Sequence, residues 1–480
     1  MGVKDLWSIL SPVCEKKSLW ELENQSIAID LSAWICDSQN VTRTSPHINM
    51  YLRNLFFRTS YLLLLGVKPV FVLEGDAPEL KAATMQKRMG KGEEGSQKAG
   101  SFTRARLKGL QKQCVDLLSH MGIACVRGPG EAEAFCAHLN EQGIVSGVIT
   151  QDSDAFLYGA REVYRHFQMG PSYTCDCYRM DTIEQKLSLS RTKLIGYSIL
   201  CGSDYNNGVS KLGKQSALKF LKSIEDNQVY QKFIQWRNIT CFDELKNDKY
   251  ISSDLQFELI IREKALKDPG FPHLDVIAEF TTPPEKVDFT WNWSKPDLHK
   301  FLEFAMSKLA WDEEYALDKF IPLMGRWHLL HPHMETLIFV KSIQGWRKKN
   351  EAGSSFKVEW SLKGHDIKPL STWELETNVN QEYSSLVESY KDSKKKKAVK
   401  SNTEKKKTKN TKTKVLEVQQ NQKKIDKYVV RAKPKQKRKS FKLGTSVNDE
   451  LNLSGILKDI VSREVSNPVL LRDRGVKHLL

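Results

Sequence analysis

The chain has 480 residues and a formal net charge of +16, spread unevenly: residues 391–480 hold 27 Lys and Arg against 9 Asp and Glu, leaving 47 against 49 in residues 1–390. That length excludes a mere binding peptide, and a nearly neutral body with a basic tail points to a polyanionic partner, although such a tail can also serve solubility alone. Nine scattered cysteines without a C-x-x-C pair exclude a disulfide frame and a structural zinc site, and the longest apolar run, residues 61–66, is too short to span a bilayer.

The opening Met1-Gly2-Val3-Lys4-Asp5 has no apolar signal region, and Trp7 stands where a myristoylation signal wants Ser or Thr, so a protein of the aqueous phase is expected. From Ser26 to about Tyr205, short apolar runs alternate with amphipathic stretches, the pattern of an α/β domain on a mainly parallel sheet. Strands are expected at residues 27–29, 69–73, 123–126 and 147–149. Each precedes acidic residues: Asp30, Glu74, Glu131 with Glu133, and Asp152 with Asp154. In open parallel sheets the carboxyl ends of strands line the ligand crevice, so these acids should converge.

Residues 80–113, rich in Lys and Arg around a Gly-rich middle, read as a mobile basic arch over that crevice. Residues 206–330 are mostly helical in pattern, with Pro272, Pro283, Pro284 and Pro296 marking loops. Residues 337–373 are strand-rich and residues 381–390 suit a closing helix. Beyond Asp392 the Lys-rich run cannot bury enough surface to offset its ordering entropy; disorder is expected there, apart from a short helix at residues 451–464.

Taken singly, the acidic pairs have ordinary readings. Glu131 and Glu133 could complement a helix dipole, and Asp152 and Asp154 could form a solvated turn with an N-cap. Gathered at the strand ends of one sheet they would repel by several kcal/mol unless neutralised, and divalent cations are the natural remedy. All-oxygen ligation suits Mg²⁺ or Mn²⁺, two of which can activate a water and stabilise a leaving oxygen in phosphodiester hydrolysis.

Five motifs then carry a resemblance. Met1-Gly2-Val3-Lys4-Asp5-Leu6-Trp7, Ile29-Asp30-Leu31-Ser32-Ala33-Trp34, Pro129-Gly130-Glu131-Ala132-Glu133-Ala134, Gln151-Asp152-Ser153-Asp154 and Cys201-Gly202-Ser203-Asp204-Tyr205 resemble, in order, the signatures of the XPG-type flap endonuclease family. Glu74 in Phe71-Val72-Leu73-Glu74-Gly75, where most flap endonucleases carry Asp, Trp34, and the module after the core resemble the GEN-type Holliday junction resolvases within it. The likeness covers roughly residues 1–390.

The resemblance implies a PIN-like α/β nuclease core with a mainly parallel sheet and a helix-two-turn-helix region, a small β-rich chromodomain-like module, and the basic tail. It divides the chain into N-terminal (1–95) and internal (120–205) nuclease regions around the arch (80–113). A helix-two-turn-helix and C-terminal nuclease region (204–330), the module (335–390) and the tail (391–480) follow. It implies that Asp30, Glu74, Glu131 and Glu133 hold one Mg²⁺, that Asp152, Asp154 and Asp204 serve a second, and that Mn²⁺ can substitute. It assigns Lys81 and Arg88 to gripping the scissile phosphate, although both also read as ordinary exposed helix charges. It places Gly2 beside the active site.

Residues 204–214 and the helix after them resemble the helix-two-turn-helix, with Gly208, Lys211, Gly213 and Lys214 against duplex phosphates. Ser210-Lys211-Leu212 departs from the family's small run, which leaves the family's K⁺ site open. In the module, Phe356, Trp360 and Trp373 read either as a methyl-lysine cage or as core. Lys394–Lys397 and the later basic runs suit nuclear import and backbone binding, and residues 422–429 resemble a sliding-clamp box without its final aromatic.

The function expected is a nuclear, structure-selective endonuclease that resolves four-way junctions and cuts 5′ flaps, a monomer in solution and a dimer on four-way junctions, with contacts to chromatin or a clamp as weaker expectations. The alternatives are a 5′ flap endonuclease or 5′ to 3′ exonuclease with little junction activity, and a noncatalytic chromatin or DNA adaptor.

Overall fold

The computed structural model of the chain describes residues 2–41, 49–76, 78, 80–81, 104–168, 173–238, 252–282, 289–348 and 354–395. Arg88, most of the expected arch and the tail beyond residue 395, with its expected helix and clamp-like box, lie outside them. No helix among the described residues is long and apolar enough to cross a membrane.

The chain divides into two compact units, Met1–Leu323 and Met324–Leu480. In the first, strands β1 (Glu15–Ser18), β2 (Ser26–Asp30), β3 (Lys68–Leu73), β4 (Cys125–Arg127), β5 (Gly147–Ile149), β6 (Glu162–Gln168) and β7 (Thr174–Arg179) form one sheet in the order β1-β7-β6-β5-β2-β3-β4. From β6 to β4 every pairing is parallel; β7 and β1 continue it antiparallel. Interior strand β2 reads Ser-Ile-Ala-Ile-Asp, with its last four residues buried, as a strand covered on both faces requires.

The expected strands are found, that at residues 147–149 with the bounds expected and the other three with shifted ends. The third begins at Cys125, because Ile123 instead makes an isolated antiparallel bridge with Trp293. The expected arch is shorter at its far end: Arg104–His120 is one helix whose Cys114, Leu117 and Leu118 are buried, so residues 104–113 belong to the folded body.

From β2 the chain moves outward to β3 and β4, then returns to place β5 on the other side of β2. The strand order therefore reverses between β2 and β5, the switch point at which open α/β sheets bind ligands. Downstream, Gly213 precedes helix Lys214–Lys222, Asp297 caps helix Leu298–Phe304 through the Lys300 N–H, and buried Trp293 donates its indole N–H to Met121 O at 2.9 Å.

The second unit carries an antiparallel sheet, β8 (Ile338–Lys348), β9 (Ser354–Leu362) and β10 (His365–Leu375), in the order β10-β9-β8. Its closing segment is two helices, Glu376–Glu382 and residues 384–395, rather than one, because the chain breaks at Tyr383. Tyr383 turns its hydroxyl to His328 Nε2 at 2.7 Å, and Arg326 donates to Glu374 at 2.8 Å. These bonds explain why this unit begins at residue 324, inside helix Glu313–Leu330, earlier than the expected 335. Phe356 and Trp360 are buried, and the Arg347 guanidinium lies 3.8 Å from the ring centroid of Trp373. Two of the three aromatics are core and the third has a cation on its face, so no open cage stands among them.

Candidate active site

The acids expected at the strand ends lie on or shortly after those strands. Asp30 ends β2; its Oδ1 accepts the Ala33 N–H at 3.1 Å, and its Oδ2 the hydroxyl of Thr150, the residue after β5, at 3.3 Å. That bond ties the two strands across the switch point. Glu74 follows β3, and its Oε2 accepts the Ala132 N–H at 3.0 Å, in the first turn of helix Ala132–Glu141. The loops after β3 and β4 are locked by Gly75 N–H to Gly130 O at 2.7 Å and Gly128 N–H to Leu73 O at 3.0 Å. A Cβ on Gly75 would strike Gly128 O, so only glycine allows this approach.

Glu131 and Glu133 stand at the start of that helix, both buried. Asp152 and Asp154 follow β5 and are buried as well; Asp152 Oδ1 accepts the Asp154 N–H at 3.2 Å. Asp204 closes the set from the loop after helix Arg191–Cys201, and the Gly2 N–H points at its Oδ2 from 3.4 Å. Val3 N–H donates to Ser153 Oγ at 3.0 Å, seating the N-terminal segment beside the acids. Lys81 lies among them, paired with Glu131 and within 3.8 Å of Glu133 and 4.0 Å of Asp204.

The electrostatics follow from this crowding. Burial, then the charges of Glu74 and Asp152, push the Asp30 carboxyl up to about 7. Burial and Glu131 raise Glu133 well above its ordinary value, and burial, Asp152 and Asp204 do the same to Asp154. Asp152 is raised chiefly by burial. Burial works against the Lys81 ammonium, but Glu133, Glu131 and Asp204 outweigh it and its pKa is raised. The carboxylates thus feel one another across the whole pocket.

The donors fit a hard divalent cation. They are all oxygens, and among the described residues Asp154 Oδ1 is buried without a hydrogen-bond partner. No three acidic, His or Cys groups among the described residues close on one point as a finished cage. An open arrangement suits Mg²⁺, which keeps several of its waters.

Of the residues expected at the phosphate grip, Gly208 has φ 74°, Lys211 has φ 60°, and Lys214 donates to Ser8 Oγ at 3.2 Å. Lys264 adds an ammonium that sequence reasoning passed over, bonded to Lys211 O at 3.1 Å.

Family models for the XPG N-terminal domain and the XPG I-region match residues 1–94 and 122–204. The crystal structure of human GEN1 in complex with Holliday junction DNA is similar with a TM-score of 0.67 at 34% identity, covering 83% of this chain and 100% of that one. The chain belongs to the XPG family, on its GEN branch. Flap endonuclease GEN of Drosophila melanogaster is 36% identical over 398 residues, 70% of this chain and 55% of that protein. The human Flap endonuclease GEN homolog 1 is 33% identical over 431 residues, 76% and 47% of the two. This XPG-family chain spans about half the length of the curated relatives it matches.

Beside the motif acids stand groups that no motif singled out. Thr150 and Ser153 lie inside or next to the Gln151-Asp152-Ser153-Asp154 signature, but nothing in the sequence pairs them with Asp30 or Val3. Tyr158, Glu279 and Lys264 carry no such mark, since their partners lie far off in sequence.

Proposed function

We propose that this chain is a structure-selective DNA endonuclease that hydrolyses phosphodiesters at branched DNA. The observation that supports this best is the pocket itself: the buried Asp30, Glu131, Glu133, Asp152 and Asp154 gather with the partly buried Glu74 and Asp204 and with Lys81 at the switch point of a parallel sheet. The human relative's structure holds a Holliday junction, which supports four-way junctions as a substrate. The relatives' name, flap endonuclease, supports 5′ flaps as another.

Asp30, Glu74, Glu131 and Glu133 would hold one Mg²⁺, and Asp152, Asp154 and Asp204 would serve a second. Bound there, such cations supply acidity to a water and offset charge on the leaving oxygen. The chain's own part is to position. Asp30 is fixed by Thr150 and the Ala33 N–H, and Glu74 by the Ala132 N–H, so neither carboxylate must reorganise during reaction. Lys81, already drawn to the acids, can pair with the scissile phosphate instead, with Arg88 as its expected companion. Gly208, Lys211, Gly213 and Lys214 would meet duplex phosphates, with Lys264 alongside.

Selectivity for shape follows from backbone contacts that read no bases. A monomer suffices for a flap, whereas two symmetric nicks in a four-way junction need two copies. The nucleus is the compartment that the substrate and the basic tail suit.

Purified protein with Mg²⁺ is to be incubated with labelled four-way junction, 5′ flap and linear duplex. Cleavage of the first two over the third is expected; equal cutting of all three, or of none, rejects the proposal. A flap with a blocked 5′ end separates the flap-only reading, which requires threading and so predicts loss of cleavage.

A further inference from the structure

Glu131 uses both of its oxygens. Oε1 pairs with Lys81, and Oε2 accepts the Tyr205 hydroxyl at 2.6 Å. The Tyr205 oxygen also lies 2.6 Å from the hydroxyl of Tyr158, which in turn reaches Glu279 Oε1 at 3.1 Å. These four groups make three contacts, but the two phenols have only two protons to donate.

With Tyr205 giving its proton to Glu131, the short contact behind it is made only if Tyr158 donates to Tyr205. Glu279 then competes for the Tyr158 proton over the longer path. Donation from Tyr158 polarises the Tyr205 hydroxyl and strengthens its bond to Glu131, since hydrogen bonds in series reinforce one another.

The rings are held for this task. Phe280 packs edge-on against both, with centroids 4.9 Å from Tyr158 and 5.3 Å from Tyr205. Tyr158 sits in the turn that follows the one-turn helix Asp154–Phe156, and Tyr205 directly follows Asp204. The pair therefore joins the Asp154 and Asp204 segments behind Glu131.

We propose that Tyr158 is a positioning residue for the cation site, acting through Tyr205 to fix the carboxylate of Glu131, with Glu279 as its opposing acceptor. This rests on the reading that Glu131 is a metal ligand.

The test is Mn²⁺ binding by the full-length protein without DNA, followed by electron paramagnetic resonance, with thermal unfolding of each metal-free variant measured alongside. Tyr205→Phe is expected to weaken binding about tenfold, the low end of the loss typical of groups that orient metal ligands, and Tyr158→Phe, one hydrogen bond further from the carboxylate, by less. The double variant should be no weaker than Tyr205→Phe alone, and Glu279→Ala should not weaken binding. Additive losses, a Tyr158→Phe that lowers the unfolding temperature but leaves Mn²⁺ affinity unchanged, or a Glu279→Ala as damaging as Tyr158→Phe would each overturn the proposal. If the wild type itself binds no Mn²⁺ that Asp30→Asn abolishes, the metal reading fails instead, and the two failures are distinct.

Discussion

The Gly2 N–H faces Asp204 Oδ2 at 3.4 Å and the next N–H, of Val3, donates to Ser153 Oγ at 3.0 Å, so Gly2 is packed among the acids. Gly2 has φ 86°, a conformation that costs other L-residues about 1–2 kcal/mol. A Cβ there would collide with the carboxylates of Asp152 and Asp154 and the hydroxyl of Ser153. Gly2→Ala is expected to lower single-turnover cleavage by about two orders of magnitude, as misplacement by an ångström can. Single-turnover rates on a 5′ flap check this; a variant as fast as wild type would mean the acids tolerate displacement.

Asp30 retains its proton up to about 7, against an ordinary 3.8, while Glu133 and Asp154 are also raised. Between those two values the folded, metal-free chain binds more protons than the unfolded one, so this cluster lowers stability as pH rises from about 4 to 7. A divalent cation must displace those protons, and it does so more easily at higher pH. The rise in unfolding temperature caused by a fixed excess of Mg²⁺ is therefore expected to be larger at pH 8 than at pH 6. Differential scanning calorimetry at the two pH values decides it, and Asp30→Asn should shrink the difference.

Lys81 is the described cation that meets Glu131, Glu133 and Asp204 together. Lys81→Ala removes a positive charge from beside the acids and from the expected path of the scissile phosphate. Cleavage at saturating enzyme is expected to fall about 100-fold, the loss typical of one transition-state charge partner, with DNA affinity changed far less. Rates and gel-shift affinities measured on one flap substrate separate the two; an equal loss in both would assign Lys81 to binding alone.

The acids were legible in sequence for a physical reason. Asp30, Glu74, Glu131 with Glu133, and Asp152 with Asp154 follow apolar runs that read as strands, which puts them at one end of the sheet, whereas Asp204 follows helix Arg191–Cys201 and is marked only by the family resemblance. The supports were not legible. Thr150 reaches Asp30 across 120 residues of chain, and Glu279 reaches Tyr158 across 121, distances over which a single sequence carries no pairing signal. Strands β1, β6 and β7 escaped as well. Glu15-Lys16-Lys17-Ser18 is an edge strand with no apolar alternation, held by pairing with β7 and by Lys17 to Glu162 at 2.8 Å. The split of the closing helix at Tyr383 depends on His328, a partner 55 residues away.

In the second unit, Glu374 has a fully buried side chain, and it accepts from Arg326 at 2.8 Å and from Thr372 Oγ1 at 2.7 Å. Thr372 Oγ1 in turn accepts the indole N–H of buried Trp360 at 2.7 Å, so a single polar chain threads the core of this unit. Arg326→Met would leave the Glu374 charge buried without its cation, which destabilises by about 3–5 kcal/mol. Protection of the β9 and β10 amides in hydrogen exchange is expected to fall accordingly. Adding Glu374→Met to Arg326→Met should recover most of that loss, because an apolar pair of similar volume carries no desolvation cost. If the double variant exchanges as fast as the single one, the loss comes from packing around Trp360 and not from the stranded carboxylate.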